Sequence, residues 1–225
     1  MSRILYNFAS RSRKQKFFAC VENIYINSHN KDFTILASLD IDDPIMNTPD
    51  TIKSMKRYDK LYPVWGASKN KIDAINRSMV AAPEWDLLFN ISDDMMFIQC
   101  GYDEIVENDI KEHFPGGDCL LHYPDQHQGK NCMTMSIMDK KYYDRFGFIY
   151  YPGYESLWCD VDAQETGKML GRYKFINKRI FNHYHPSFGD TGYDAQYRKT
   201  EDMEVRNRDQ DTFNGRLNRN FDLSL

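Results

Sequence analysis

The feature that most constrains this chain is the regular alternation, over its first hundred residues, of strand-length apolar runs with segments of helical periodicity. "RILYNFAS" reads as a first strand, and "KQKFFACVENIYINS" after it sets Phe17, Phe18, Val21, Ile24 and Tyr25 on one helical face. "DFTILASLDIDD" supplies a second strand from Phe33 to Leu39, and "TPDTIKSMKRY" opens a helix behind it. "YPVWG" is a short strand. "ASKNKIDAINRSMVAA" is a helix with Ile72, Ile75, Met79 and Val80 on its buried side and Ser68 as its N-cap. "WDLLFNIS" is the next strand. Strands and helices in this order specify an α/β protein with a mostly parallel central sheet flanked by helices.

The second half mixes its elements. "YDEIVENDIKEHF" reads as a helix, "CLLHY" and "CMTMSIM" as strands, and "DKKYYDRFG" as a short helix closed by Gly147. "YYPGYESLWCDVDAQETGKMLG" starts as a turn-rich loop and becomes a helix at about Asp160, ending at Gly171. "YKFINKRIFNHYHP" gives one or two further strands, so a small antiparallel extension is expected beside the parallel sheet. From Tyr193 onward the chain is highly charged and free of proline, the pattern of a surface helix or tail. The expected division is a single domain over 1–190 and a charged extension over 191–225.

Acids recur where these strands and helices meet: Asp40, Asp42 and Asp43, then Asp93 and Asp94, then Asp160 and Asp162. In "DLLFNISDDMMF" two adjacent carboxylates interrupt an apolar run. At the carboxyl end of a strand in an open α/β sheet they would face the ligand crevice. Like charges so placed raise each other's pKa unless a cation neutralises them, and hard divalent ions such as Mg²⁺ or Mn²⁺ choose oxygen ligands. The bland alternative is a polar turn with Asp94 as a cap. "FNHYHP" adds His183 and His185, two residues apart and so on one side of a strand. An imidazole joining carboxylates suits Mn²⁺ better than Ca²⁺. "SRSRK" puts Arg11, Arg13 and Lys14 at a helix start, where a phosphate could be held.

Other chemistries lack their signatures. There is no GxGxxG, no GxxxxGK[ST] and no GxSxG, and Cys159 beside Asp160 reads as a small buried residue. The formal net charge of −4, with no long basic run, gives no electrostatic footprint for nucleic acid. The five cysteines stand singly without CxxC spacing, which points to a reducing compartment. With no apolar signal core and no membrane-length apolar run, a cytoplasmic protein without a membrane span is expected.

Taken in order, these segments resemble the GT-A glycosyltransferases, and within them the family-2-like group of inverting enzymes. The resemblance runs over most of residues 3 to 190. It rests on an opening strand followed by Arg11, the acid-bearing strand "SLDIDD", then "GASKNKIDAINRS", then "SDD" as a version of the DxD motif, then "WCDVDAQETGKMLG" where the family carries its ED motif and helix, and a late histidine. It implies a nucleotide-sugar donor, most often a UDP-sugar, held by Ser10, Arg11, Asp40, Asp42, Lys69, Asn70 and Asp93. It implies a Mn²⁺ or Mg²⁺ cofactor on Asp94, completed by His183 or His185, and Asp160 as the general base on an acceptor hydroxyl. The ED motif reads Cys159-Asp160 here, so Asp162 and Glu155 stay open as bases. The QxxRW signature of processive synthases is missing, since Gln164 is followed by Glu165, Thr166 and Gly167, which fits transfer of a single sugar. The acceptor is left open among saccharides, lipid-linked sugars, proteins and modified nucleic-acid bases. "YPDQHQGKNCM", residues 123 to 133, is the expected acceptor loop. The competing readings are a non-catalytic nucleotide-sugar or glycan binding domain and a sugar nucleotidyltransferase.

Overall fold

Period-two burial shows how the sheet is covered. In β1 (Ile4–Ala9), Ile4, Tyr6 and Phe8 pack into one apolar layer while Leu5 packs into the opposite one. The same split divides Phe33, Ile35, Ala37 and Leu39 from Leu36 in β2 (Phe33–Asp40), and Leu87 and Phe89 from Leu88 in β4 (Leu87–Asn90). A strand apolar on both faces belongs in the middle of a helix-covered sheet. The computed structural model describes residues 2–192, 194–200 and 202–223.

Between these strands run α1 (Lys14–Asn27), α2 (Pro49–Met55), β3 (Leu61–Gly66) and α3 (Lys71–Ser78). After β4 come β5 (Met95–Phe97), α4 (Tyr102–His113), β6 (Leu120–His122), β7 (Ser136–Asp139), α5 (Lys140–Tyr143), α6 (Cys159–Met169), β8 (Tyr173–Phe175), β9 (Phe181–His183), α7 (Ala195–Thr200) and α8 (Met203–Asn218). The main sheet has the order β3-β2-β1-β4-β7-β6-β8. Strands β3, β2, β1 and β4 are parallel, β7 runs antiparallel to β4 and β6, and β8 is parallel to β6. A separate antiparallel pair joins β5 to β9, with Met95 opposite His183. The α/β class, the mostly parallel sheet and the small antiparallel extension are those expected from the sequence.

Two local expectations are corrected. Asn70, not Ser68, caps α3, its side chain accepting from the Asp73 N–H at 2.9 Å. Val80 is exposed rather than buried, because α3 ends at Ser78 and tightens into a 3-10 turn over Met79–Ala81 that swings Val80 away from the sheet.

Strand order decides where a ligand can sit. From β1 the chain steps outward to β2 and β3, then returns to the other side of β1 for β4, so the loops after β1 and β4 part and leave a crevice at their carboxyl ends.

Candidate active site

The crevice opens into a cavity of about 600 Å³. Its wall includes Ser10, Arg11, Asp40, Asp42, Lys69, Asn70, Asp93, Asp94, Asp160, His183 and His185, so the fold brings the residues expected of the donor and metal sites to one place, with Asp160 and Glu155 but not Asp162 of the candidate bases. The β1 and β4 loops meet where the Ser10 hydroxyl donates to Asp93 Oδ2 at 2.6 Å. Asp93 Oδ1 accepts from Arg13 at 3.1 Å. Burial raises the Asp93 carboxyl, while Arg13 pulls the other way. Both oxygens are thus engaged within the protein. Arg13 also forks onto Asp194 at 2.8 and 3.0 Å and lies over the Tyr197 ring.

Asp94 has different company. Its Oδ2 accepts from the Tyr197 hydroxyl. Its Oδ1 is buried, has no hydrogen-bond partner, and lies 3.4 Å from His183 Nε2. Burial works against the Asp94 carboxylate, but His183 and the Tyr197 hydroxyl outweigh it and hold the group well below the usual carboxylate range. On its other side the imidazole presents Nδ1 to Asp125, 3.7 Å away. Burial disfavours the His183 imidazolium, yet Asp125 and Asp94 together push its pKa up to about 9. The Gln126 side chain bonds both the N–H and the carbonyl of His183 at 2.8 Å, fixing the end of β9.

A divalent cation fits these donors. An oxygen and a nitrogen 3.4 Å apart are too far for a good hydrogen bond, and they match two ligands at about 2.1 Å from a shared ion. A carboxylate behind the second ring nitrogen is the usual support of a metal-bound histidine. His185 is placed differently. It lies beyond β9, where its Nδ1 accepts from the Ser187 N–H at 3.3 Å and its ring packs against Tyr197. Burial, reinforced by His183, lowers its pKa to about 4. Asp109, Glu112 and His113 form a closer acid and histidine group on α4, but Asp109 there is taken by Tyr123 and Lys178 and does not reach the cavity.

At the outer end Arg11 donates to Asp40 at 2.8 Å and to Asp42 at 2.6 and 3.0 Å. Asp40 Oδ1 is buried without a hydrogen bond. Asp43, the third acid of that run, is buried and accepts from the N–H groups of Ser12, Ile45 and Met46, so it shapes the loop and does not line the cavity. Asn70 spends its side-chain oxygen on the α3 cap.

Among the candidate bases, Asp160 lies in the first turn of α6, where its Oδ1 accepts from the Val161 N–H at 2.8 Å and its Oδ2 from Cys132 at 3.1 Å. Glu155 lines the cavity but pairs with Arg208 at 3.2 Å. Asp162 is buried away from the cavity against Arg216 and the Tyr154 hydroxyl.

Several wall residues escape a reading of the sequence. Lys71 begins α3. Tyr197, Arg198, Lys199 and Arg208 come from the charged C-terminal helices and close one side of the cavity. Acids in an apolar run stand out, whereas basic residues in a charged helix do not. The loop 123–133 contributes no residue to the cavity; it holds His183 through Asp125 and Gln126.

No family model matches this chain, and no curated protein matches it. Among solved structures it is similar to the mannosyltransferase PcManGT from Pyrobaculum calidifontis, in complex with GDP-Man and Mn²⁺. That likeness has a TM-score of 0.59 and 12% identity over 79% of this chain and 55% of the other. It is also similar to residues 1–349 of TarS from S. aureus in complex with UDP, with a TM-score of 0.65 and 12% identity over 99% of this chain and 72% of the other. A second structure of the same TarS segment aligns at a TM-score of 0.62 and 10% identity over 80% of this chain and 60% of the other. The chain thus spans a little over half of the mannosyltransferase it matches. What is shared at such identity is the fold, which is GT-A-like.

Proposed function

We propose that this protein is a metal-dependent, inverting glycosyltransferase that moves one sugar from a nucleotide-sugar donor to an acceptor hydroxyl. The observation that carries the reading is the buried Oδ1 of Asp94, without a hydrogen bond and facing His183 Nε2 across 3.4 Å, in the same cavity as the Asp160 carboxylate. The similar folds are found with GDP-Man and Mn²⁺ in one case and with UDP in the other, which supports a nucleoside diphosphate leaving group.

Asp94 and His183 are the residues that would hold Mn²⁺ or Mg²⁺, which when bound neutralises the charge that builds on the departing diphosphate. Asp125 and Gln126 keep the imidazole turned toward the site. Lys71, at the start of α3, adds positive charge beside Asp94. Arg11, Asp40 and Asp42 bind the nucleoside end of the donor, and Ser10, Asp93 and Arg13 brace the loops between the two ends. Asp160 takes the proton from the acceptor hydroxyl as its oxygen attacks the anomeric carbon from the face opposite the leaving group. Asp162 is withdrawn from this role by its pairing with Arg216.

Donor turnover tests the reading. Mn²⁺-dependent hydrolysis of UDP-sugars or GDP-mannose is expected, with loss in Asp94→Asn and in Asp160→Asn. A product of retained anomeric configuration, or turnover that survives both substitutions, contradicts it.

A further inference from the structure

Helix α8 buries a stripe that apolar packing does not explain. Its buried residues are Asp209, Phe213 and Arg216, spaced i, i+4 and i+7 along one face and exposed by only 1%, 9% and 4%. Each lands on the segment that leads into α6. Both carboxylate oxygens of Asp209 accept backbone N–H groups, from Glu155 at 2.9 Å, Ser156 at 2.9 Å and Leu157 at 2.7 Å. The Phe213 ring lies 5.2 Å from that of Trp158. The Arg216 guanidinium takes Asp162 from Nε and Nη2, lies over the Tyr151 ring, and meets a carboxylate that also receives the Tyr154 hydroxyl.

Burying a carboxylate and an ion pair costs free energy that an apolar stripe would not, so their gain has to be geometric. Three successive N–H groups on one carboxylate fix three peptide planes. The next residue, Trp158, is then held at φ 62°, in the left-handed region that a non-glycine residue adopts only when its surroundings hold it there. Asp160 follows two residues later. None of Asp209, Phe213, Arg216 or Asp162 lines the cavity, so these residues reach the chemistry through this segment, whereas Val205 and Arg208 of the same helix line the cavity directly.

We propose that Asp209 and Arg216 are positioning residues that set the direction of Asp160 from two sides, Asp209 through the loop before it and Arg216 through Asp162 after it. This rests on the glycosyl-transfer reading, since it presumes that Asp160 is the base. A carboxylate displaced by about 1 Å loses up to about a hundredfold in rate while donor contacts elsewhere in the cavity stay in place.

The test compares the unmodified protein with Asp209→Asn, Arg216→Lys and Arg216→Met. UDP and GDP binding with Mn²⁺ is measured by calorimetry, hydrolysis of UDP-glucose, UDP-N-acetylglucosamine and GDP-mannose gives kcat and KM, and thermal melts report folding. The expected result is a fall in kcat of tenfold or more in Asp209→Asn and Arg216→Met, with KM and nucleotide affinity within twofold. Arg216→Lys, which keeps the charge, recovers part of the rate. If Asp209→Asn does not fold, the two Arg216 variants decide in the same way. An unchanged kcat per folded molecule, or kcat, KM and nucleotide affinity worsening together, overturns the positioning role and leaves the functional reading standing. Absence of nucleotide binding by the unmodified protein, or binding without turnover of any probe, overturns that reading and the positioning role with it.

Discussion

Asp94 Oδ1 is a buried carboxylate oxygen with no hydrogen bond, faced across 3.4 Å by His183 Nε2, a spacing that a divalent cation could bridge. His183 turns one ring nitrogen toward it and the other toward Asp125, so Asp125 acts on the site from behind. Asp125→Asn is expected to weaken Mn²⁺ binding by about 10- to 100-fold although Asp125 does not line the cavity, measured by calorimetric titration of the metal. Asp160→Asn, which keeps the shape and removes the base, is expected to lower turnover by about two orders of magnitude or more with nucleotide affinity unchanged, read from donor hydrolysis beside a UDP titration. Asp94 and His183 were legible in the sequence because acids inside "LLFNISDDMMF" and paired histidines are chemically out of place. Asp125 and Tyr197 were not, because one sits in an ordinary polar loop and the other in a charged helix, and only the fold carries them to His183 and Asp94.

Strand β6 shows what an element can conceal. His122 is fully buried at its end, its Nδ1 2.6 Å from the Tyr173 hydroxyl and its Nε2 without a partner. Burial lowers its pKa to about 4. The unfolded chain therefore binds the proton more tightly, so this group's contribution to stability is whole above the ordinary value near 6.5 and is lost as pH falls through about 4. Between pH 7 and pH 4.5 the unmodified protein is expected to lose about 2 kcal/mol more than His122→Phe, measured by urea unfolding at both pH values. Equal losses would contradict a neutral, buried His122. Among the elements, those with clear periodicity, such as α1 and β2, matched their sequence pattern. Helix α8 did not announce its role, because a buried face made of Asp209, Phe213 and Arg216 looks like a solvated one until the loop it grips is in view.

For the whole molecule, the β-α alternation of the first hundred residues made the parallel core readable. The return of the chain to the far side of β1, which creates the crevice, depends on strand order and cannot be seen in local pattern. The same limit hid the side of the cavity that the C-terminal helices close. Residues of α7 and α8 lie far along the chain from the acids they face, and nothing near them in sequence points that way. The central claim is that this crevice holds a nucleoside diphosphate through a cation on Asp94. Calorimetric titration with UDP and with GDP, each with and without Mn²⁺ and repeated on Asp94→Asn, tests it most directly. Binding that requires the metal and is lost in Asp94→Asn is the predicted result. Binding that ignores both the metal and Asp94, or no binding of either nucleotide under any condition, would contradict it.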